Sequence, residues 1–188
     1  MEKKLIISGD SHVLEPNDLF FKPLGKKYGD EIPRYIDEHL GVKASHYFTG
    51  IEYIRIDEIV EGDEGSEESQ ELQQKLIRAS EDPAARLKCL DEDGVYAEVL
   101  NSTWMLYTMR ARNNNMVRDC CRVYNDWMAE LVSHDPKRLV GTSMIHMEDV
   151  DWAVKELERT TKMGLKGSLI NCDYRPEWLR YQDKHYDP

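Results

Sequence analysis

Asp10, His12 and Glu15 fall within six residues of one another in LIISGDSHVLEP, directly after a short apolar run. Two carboxylates and an imidazole are the oxygen and nitrogen donors that Zn²⁺, Mn²⁺ or Fe²⁺ accept. Residues two apart on an extended strand project to the same side, so Asp10 and His12 would present their donors together. Their donor atoms should then lie within about 5 Å, since each metal–ligand bond is about 2 Å long. Glu15, one turn further out, could complete the shell, hold a ligand by a hydrogen bond, or act on substrate. The same three residues would also serve as a solvated polar turn leaving a strand. A D-x-H triplet arises by chance in many sequences, so position has to decide between the two readings.

The elements that would position these residues follow from the spacing of apolar side chains. KLIIS (4–8) reads as a buried first strand ending at the triplet, with Pro16 stiffening the turn beyond it. EDPAARLKCLDEDG reads as a helix with Asp82 as N-cap, Pro83 at the first helical position and Gly94 as its stop. YAEVLNST is a second strand. Asn113 to His134 carries apolar residues at helical spacing, among them Met116, Cys120, Trp127 and Leu131. RLVGTSMI is a third strand, EDVDWAVKELERTTKMG an amphipathic helix stopped by Gly164, and LKGSLIN a fourth strand. Strands alternating with helices imply parallel βαβ units, in which each crossover helix covers the sheet. The triplet thus falls at the C-terminal end of a strand, where βα-barrel enzymes hold their chemistry.

Two regions break the alternation. Residues 17–80 form a long insertion after the first strand. Its stretch from about 57 to 71, nearly all acid, Gly and Ser, has too few apolar side chains to offset ordering and is expected to be disordered. FFKPLGKKYGDEIPRYIDEHL, also in the insertion, carries enough aromatic residues to pack down as short helices. The other break is the end, where Asp187-Pro188 announces a helix that does not follow. Four βα units are half of the eight that close a barrel. The expectation is that residues 1–188 form a partial barrel, with the remainder beyond residue 188 and an unpaired sheet edge that promotes self-association.

Composition narrows the function. The chain of 188 residues is 40% hydrophobic and includes four Trp, ten Tyr and three Phe, enough for a core. Its net charge of −11 argues against binding nucleic acid or an anionic membrane surface. No apolar stretch approaches the roughly 20 residues that span a bilayer. The apolar run near the N-terminus is shorter than a signal peptide requires. Cys89, Cys120, Cys121 and Cys172 lack metal-type spacing, and buried reduced thiols in a cytoplasmic protein are expected.

Taken in order, GDSHVLEPNDLF, RLKCLDEDGVYAEVLNST, YNDWMAELVSHDPKRLVGTSMIHMEDVDWAVKELERTTKMGLKGSLIN and YDP resemble successive motifs of the amidohydrolase-related family. These are metal-dependent TIM-barrel hydrolases and decarboxylases of the aminocarboxymuconate-semialdehyde decarboxylase type. The resemblance covers residues 5–16 and 80–188 and leaves out the acidic insertion. It implies an α/β fold, the N-terminal part of a (β/α)8 barrel. It also implies that Asp10 and His12 are the first two ligands of a divalent metal, zinc favoured, with manganese or iron as alternatives. The chain has D-x-H where relatives have H-x-H, which leaves the metal's identity open. Two further histidines and a catalytic aspartate are implied on later strands, so the residues in hand open the site without completing it.

The activity implied is hydrolysis or decarboxylation of a small organic acid, ester or lactone, in a homo-oligomeric enzyme. In the first case the later aspartate acts as general base on a water, and in the second it carries a proton to the carbon losing CO₂. Asn101, Ser102 and Thr103 end the second strand and could touch substrate, although loop hydrogen bonding is the simpler role. His146 ends the third strand, where it could face a ligand or make a local polar contact. A reading of another class is a non-catalytic half-barrel that serves as a self-association module.

Overall fold

The computed structural model describes residues 5–56, 67–170 and 180–187. Four strands form a parallel sheet: β1 (Ile7–Val13), β5 (Ala97–Ser102), β6 (Leu139–Ile145) and β7 (Gly167–Ile170), in that spatial order. Helices α3 (Pro83–Asp93), α5 (Asn114–Val132) and α6 (Val150–Lys162) lead from one strand towards the next. This is the βα alternation that the spacing of apolar residues predicts. The caps follow sequence chemistry as well. Asp82 accepts from the Ala84 and Ala85 backbone N–H groups, Asn113 from Met116 and Asp149 from Trp152. Gly94 closes α3 in the left-handed region, where a Cβ would be strained.

The core lies between the sheet and α5. Met116, Val117, Cys120, Cys121, Tyr124 and Met128 of α5 are buried with Leu100 of β5 and with Leu139 and Met144 of β6. Asn125 fixes the helix to β6 through polar contacts. Its Nδ2 donates to the Met144 carbonyl at 3.1 Å, and its Oδ1 accepts from the Met144 N–H at 2.7 Å. Trp127 and Trp152 pack against this cluster while partly buried. Cys89, Cys120 and Cys121 are free thiols, and burial raises the pKa of Cys120 and Cys121, which leaves them unreactive. No helix among the described residues is long and apolar enough to cross a membrane.

Three expectations change. The first strand starts at Ile7 and runs to Val13, so Asp10 and His12 lie within it and not in a turn beyond it. Pairing with β5 overrides the local preference of the polar triplet for a turn. The aromatic part of the insertion contributes one helix, α1 (Phe21–Tyr28), and then an antiparallel sheet of β2 (Arg34–His39), β3 (Val42–Phe48) and β4 (Tyr53–Arg55). Leu40 and Gly41, at φ 51 and 80, form the tight turn between β2 and β3. Within the acidic stretch, 57–66 lies outside the described residues, whereas 67–71 opens helix α2 (Glu67–Glu81).

The second sheet is tied to the first through α4 (Trp104–Thr108). Tyr47 stacks on Trp104 with ring centroids 4.5 Å apart, and Tyr35 meets both rings edge-on. Arg138, at the start of β6, donates to the Tyr96 carbonyl and to Asp91, each at 2.7 Å, which is a structural role.

Gly141 of β6 faces the tightest part of the core. A Cβ there would stand 2.8 Å from Met128 Cγ and 2.9 Å from Leu165 Cδ2. Gly141→Ala should therefore destabilise the protein by about 1–3 kcal/mol through overpacking, read as a lower urea midpoint. An unchanged midpoint would contradict the packing of α5 on β6.

Candidate metal centre

The pairing of β1 with β5 carries one irregularity. Ser8 pairs with Glu98, but Ser11 pairs with Leu100, so β1 spends three steps where β5 spends two. The extra residue makes a bulge at Gly9–Asp10, a device that re-aims a side chain. Beyond it His12 pairs with Asn101 and Val13 with Ser102. Asp10 and His12 are thereby held in the C-terminal half of the strand, beside the end of β5.

Their hydrogen bonds define the chemistry. His12 Nδ1 lies 2.9 Å from the Ser102 carbonyl oxygen. A carbonyl only accepts, so Nδ1 carries the proton in neutral His12 and Nε2 keeps its lone pair. That lone pair faces Asp10 Oδ1 at 3.5 Å. Two acceptor atoms so placed are reconciled by a cation shared between them, either a proton on Nε2 or a metal ion. Bonds of about 2.0–2.1 Å at a tetrahedral angle would set the two donors about 3.3 Å apart. The separation and the donor set, one carboxylate oxygen and one imidazole nitrogen, fit a divalent ion. Orientation of a ligating histidine by a carbonyl on its other nitrogen is the usual support for such a site. The side chains are 82% exposed for Asp10 and 44% for His12, so the pair is open to solvent.

Asn101 Nδ2 donates to Asp10 Oδ1 at 3.0 Å, and Asn101 Oδ1 accepts from Thr142 Oγ1, also at 3.0 Å. Thr103 Oγ1 lies 3.5 Å from His12 Nδ1. Beneath the pair, Arg86 of α3 donates through Nη2 to the His12 carbonyl at 3.0 Å and to Glu98 Oε2 at 3.0 Å. Its Nε donates to the other oxygen of Glu98. Arg86 and Glu98 are buried, so this ion pair grips β1 and β5 where solvent does not compete.

Three of the residues singled out from sequence lie elsewhere. The Glu15 carboxylate is buried and accepts from Ser102 Oγ and from the Trp104 and Met105 backbone N–H groups. It acts as the cap of α4, which Thr103 does not cap with its own side chain. Ser102 is fully buried within that arrangement. His146 is also fully buried, and its Nε2 lies 3.3 Å from Asn114 Oδ1 at the start of α5. Among the described residues, no set of three or more His, Cys, Asp or Glu side chains converges as a metal site. Sequence reasoning passed over Arg86, Glu98 and Thr142. The available signal was Glu98 itself, a charge between apolar residues at the start of a strand.

No family model matches the chain. It is 29% identical over 93 residues to the 2-amino-3-carboxymuconate-6-semialdehyde decarboxylase of Dictyostelium discoideum, a stretch covering 49% of this chain and 26% of that protein. It is 29% identical over 102 residues to the gamma-resorcylate decarboxylase of a Polaromonas species, covering 54% and 30%. Over these stretches the chain is similar to decarboxylases of the amidohydrolase-related type, and it spans less than a third of the length of either relative. Among solved structures of this fold, an amidohydrolase from Mycobacterium avium subsp. paratuberculosis superposes with a TM-score of 0.64 at 16% identity, over 88% of this chain and 48% of that one. A dihydroxybenzoic acid decarboxylase from Polaromonas, solved with bound manganese and the inhibitor 2-nitroresorcinol, superposes with a TM-score of 0.58 at 20% identity, over 97% and 44%. The four-stranded parallel sheet thus has the fold of the N-terminal part of the TIM barrel in these structures. The chain spans less than half the length of these structures.

The buried Glu15 has a measurable signature. Burial raises its pKa above the ordinary 4.5, against the opposing pull of Ser102 and the two N–H donors. The folded state therefore holds this proton more tightly than the unfolded state does. The stabilisation it gives is complete below about pH 4.5 and is lost as pH rises towards the folded value. Glu15→Gln should remove that loss, so wild-type and variant urea midpoints should diverge as pH rises above about 4.5. Parallel curves would rule out a raised pKa at Glu15.

Proposed function

We propose that this chain contributes to metal-dependent decarboxylation of a small aromatic or otherwise unsaturated carboxylic acid, with Asp10 and His12 as two of the metal's protein ligands. The observation that carries the reading is the approach of Asp10 Oδ1 to His12 Nε2 at 3.5 Å, with the imidazole tautomer set by the Ser102 carbonyl. Both curated relatives are decarboxylases, which favours loss of CO₂ over hydrolysis of an ester or lactone. When bound, a divalent cation supplies the positive charge that holds a substrate oxygen and offsets the negative charge left as the C–C bond breaks.

The chain's own residues prepare that site. In neutral His12, Nδ1–H is committed to the Ser102 carbonyl and the lone pair stands on Nε2. Asp10 brings one fixed oxygen to the pair, and Thr103 sits beside it with a hydroxyl able to meet a substrate. Zinc suits the imidazole, whereas a carboxylate in the other position favours a harder ion such as the manganese found in the Polaromonas structure. Leu5 and Ile6, which lead into β1, and Ile7 at its start are 67%, 54% and 63% exposed, which supports association of this edge with another chain, a second copy included.

The test is metal content and CO₂ release in wild type, His12→Ala and Asp10→Asn, with aromatic carboxylic acids, esters and lactones offered as substrates. Either substitution should lower metal affinity about 10–100-fold or more and reduce CO₂ release at least as far. Stoichiometric metal in His12→Ala, or turnover of esters without release of CO₂, would overturn the proposal.

A further inference from the structure

Asp10 is the more exposed partner of the pair, and an exposed carboxylate left to itself samples several rotamers. Something must hold it opposite His12. The contact that does so is the Asn101 amide, whose Nδ2 lies 3.0 Å from Asp10 Oδ1. Asn101 is itself only 9% exposed. A carboxylate accepts and never donates, so the amide nitrogen has to face Asp10. The amide oxygen then faces Thr142, whose Oγ1 lies 3.0 Å from it and shares its single proton with the Leu100 carbonyl at 2.9 Å. One amide orientation satisfies both neighbours, and the reversed one would set oxygen against carboxylate. The series Thr142–Asn101–Asp10 crosses three adjacent strands, β6, β5 and β1. It ends on the same oxygen that faces His12 Nε2.

We infer that Asn101, oriented by Thr142, is a positioning residue that fixes the Asp10 carboxylate against His12 and so sets the affinity of the pair for a divalent cation. This goes beyond a substrate contact for Asn101, and it rests on the reading of Asp10 and His12 as ligands. Asn101 does so by placing Asp10, with no contact to the cation of its own. Thr142 acts at one further remove, because it touches Asn101 and not Asp10.

The experiment is a double-substitution cycle with Mn²⁺ as the probe. Free Mn²⁺ is followed by electron paramagnetic resonance in the full chain as wild type, Asn101→Leu, Thr142→Val and the double variant. Urea midpoints confirm that each is folded. Asn101→Leu should weaken Mn²⁺ binding about 10–100-fold, as loss of a residue that orients a ligand does. Thr142→Val should weaken it by a smaller factor, and in the Asn101→Leu background it should add nothing, because its effect passes through Asn101. A metal-free crystal structure of Asn101→Leu supplies a readout that needs no cation. In it Asp10 Oδ1 should stand more than about 5 Å from His12 Nε2, too far for two bonds of about 2 Å to one ion.

Unchanged Mn²⁺ affinity in folded Asn101→Leu, additive effects in the cycle, or an undisplaced Asp10 in the metal-free structure would each overturn the inference. If Asn101→Leu does not fold, Thr142→Val decides, and wild-type affinity in it counts against the inference. If the wild type takes up no Mn²⁺, the ligand reading falls by itself, and the metal-free structure still decides whether Asn101 holds Asp10.

Discussion

A guanidinium that is almost entirely out of water holds the two strands of the site in register. Arg86 reaches from α3 beneath the sheet, pairs with Glu98 near the start of β5, and donates from Nη2 to the carbonyl of His12 on β1 and from Nη1 to the Ala79 carbonyl. Burying two opposite charges is costly, and their attraction offsets that cost only when geometry is good and the spare protons are satisfied. Here one of the spare protons goes to the backbone of the residue that would ligate a metal. The strand pairing, the bulge at Gly9–Asp10 and the Asn101 contact all depend on β1 lying where Arg86 fixes it.

The Glu15 carboxylate plays the corresponding part above the sheet. By accepting from Ser102, Trp104 and Met105 it joins the chain leaving β1 to the start of α4. Trp104 in turn packs on Tyr35 and Tyr47 and seats the small antiparallel sheet. The insertion is thus part of the architecture around the pair. The residue that looked most like a third ligand is the one that attaches it.

What could be read from the sequence was whatever local chemistry dictates. Asp82-Pro83, Asn113 and Asp149 announce helix starts, Gly94 announces an end, and apolar runs at regular spacing give a parallel sheet. The D-x-H pair was visible because donor type and two-residue spacing are local facts. Long-range pairing was not visible. Nothing near Asp10 shows that its strand continues to Val13, since that follows from β5 lying alongside. Nothing near Glu15 shows that its partners are Ser102, Trp104 and Met105. In residues 34–55 the aromatic side chains mark burial, but the Leu40-Gly41 turn, with a bulky residue at positive φ, is not the Asn-Gly or Asp-Gly pattern that usually signals a hairpin. The second sheet was therefore missed.

The pairing of β1 with β5 also carries a consequence for how the chain is made. His12 and the Ser102 carbonyl that sets its tautomer are separated by 90 positions in sequence. Closing a loop of that length costs entropy before any contact repays it, and contacts of high sequence separation form slowly. During synthesis at about 5–20 residues per second, the first strand leaves the ribosome several seconds before the strand that completes it. Throughout that interval Leu5, Ile6 and Ile7 have no sheet to join, and Asp10 and His12 are two unrelated side chains on a nascent segment. The order of translation therefore leaves the first-written part of the site waiting for the strand that gives it a shape.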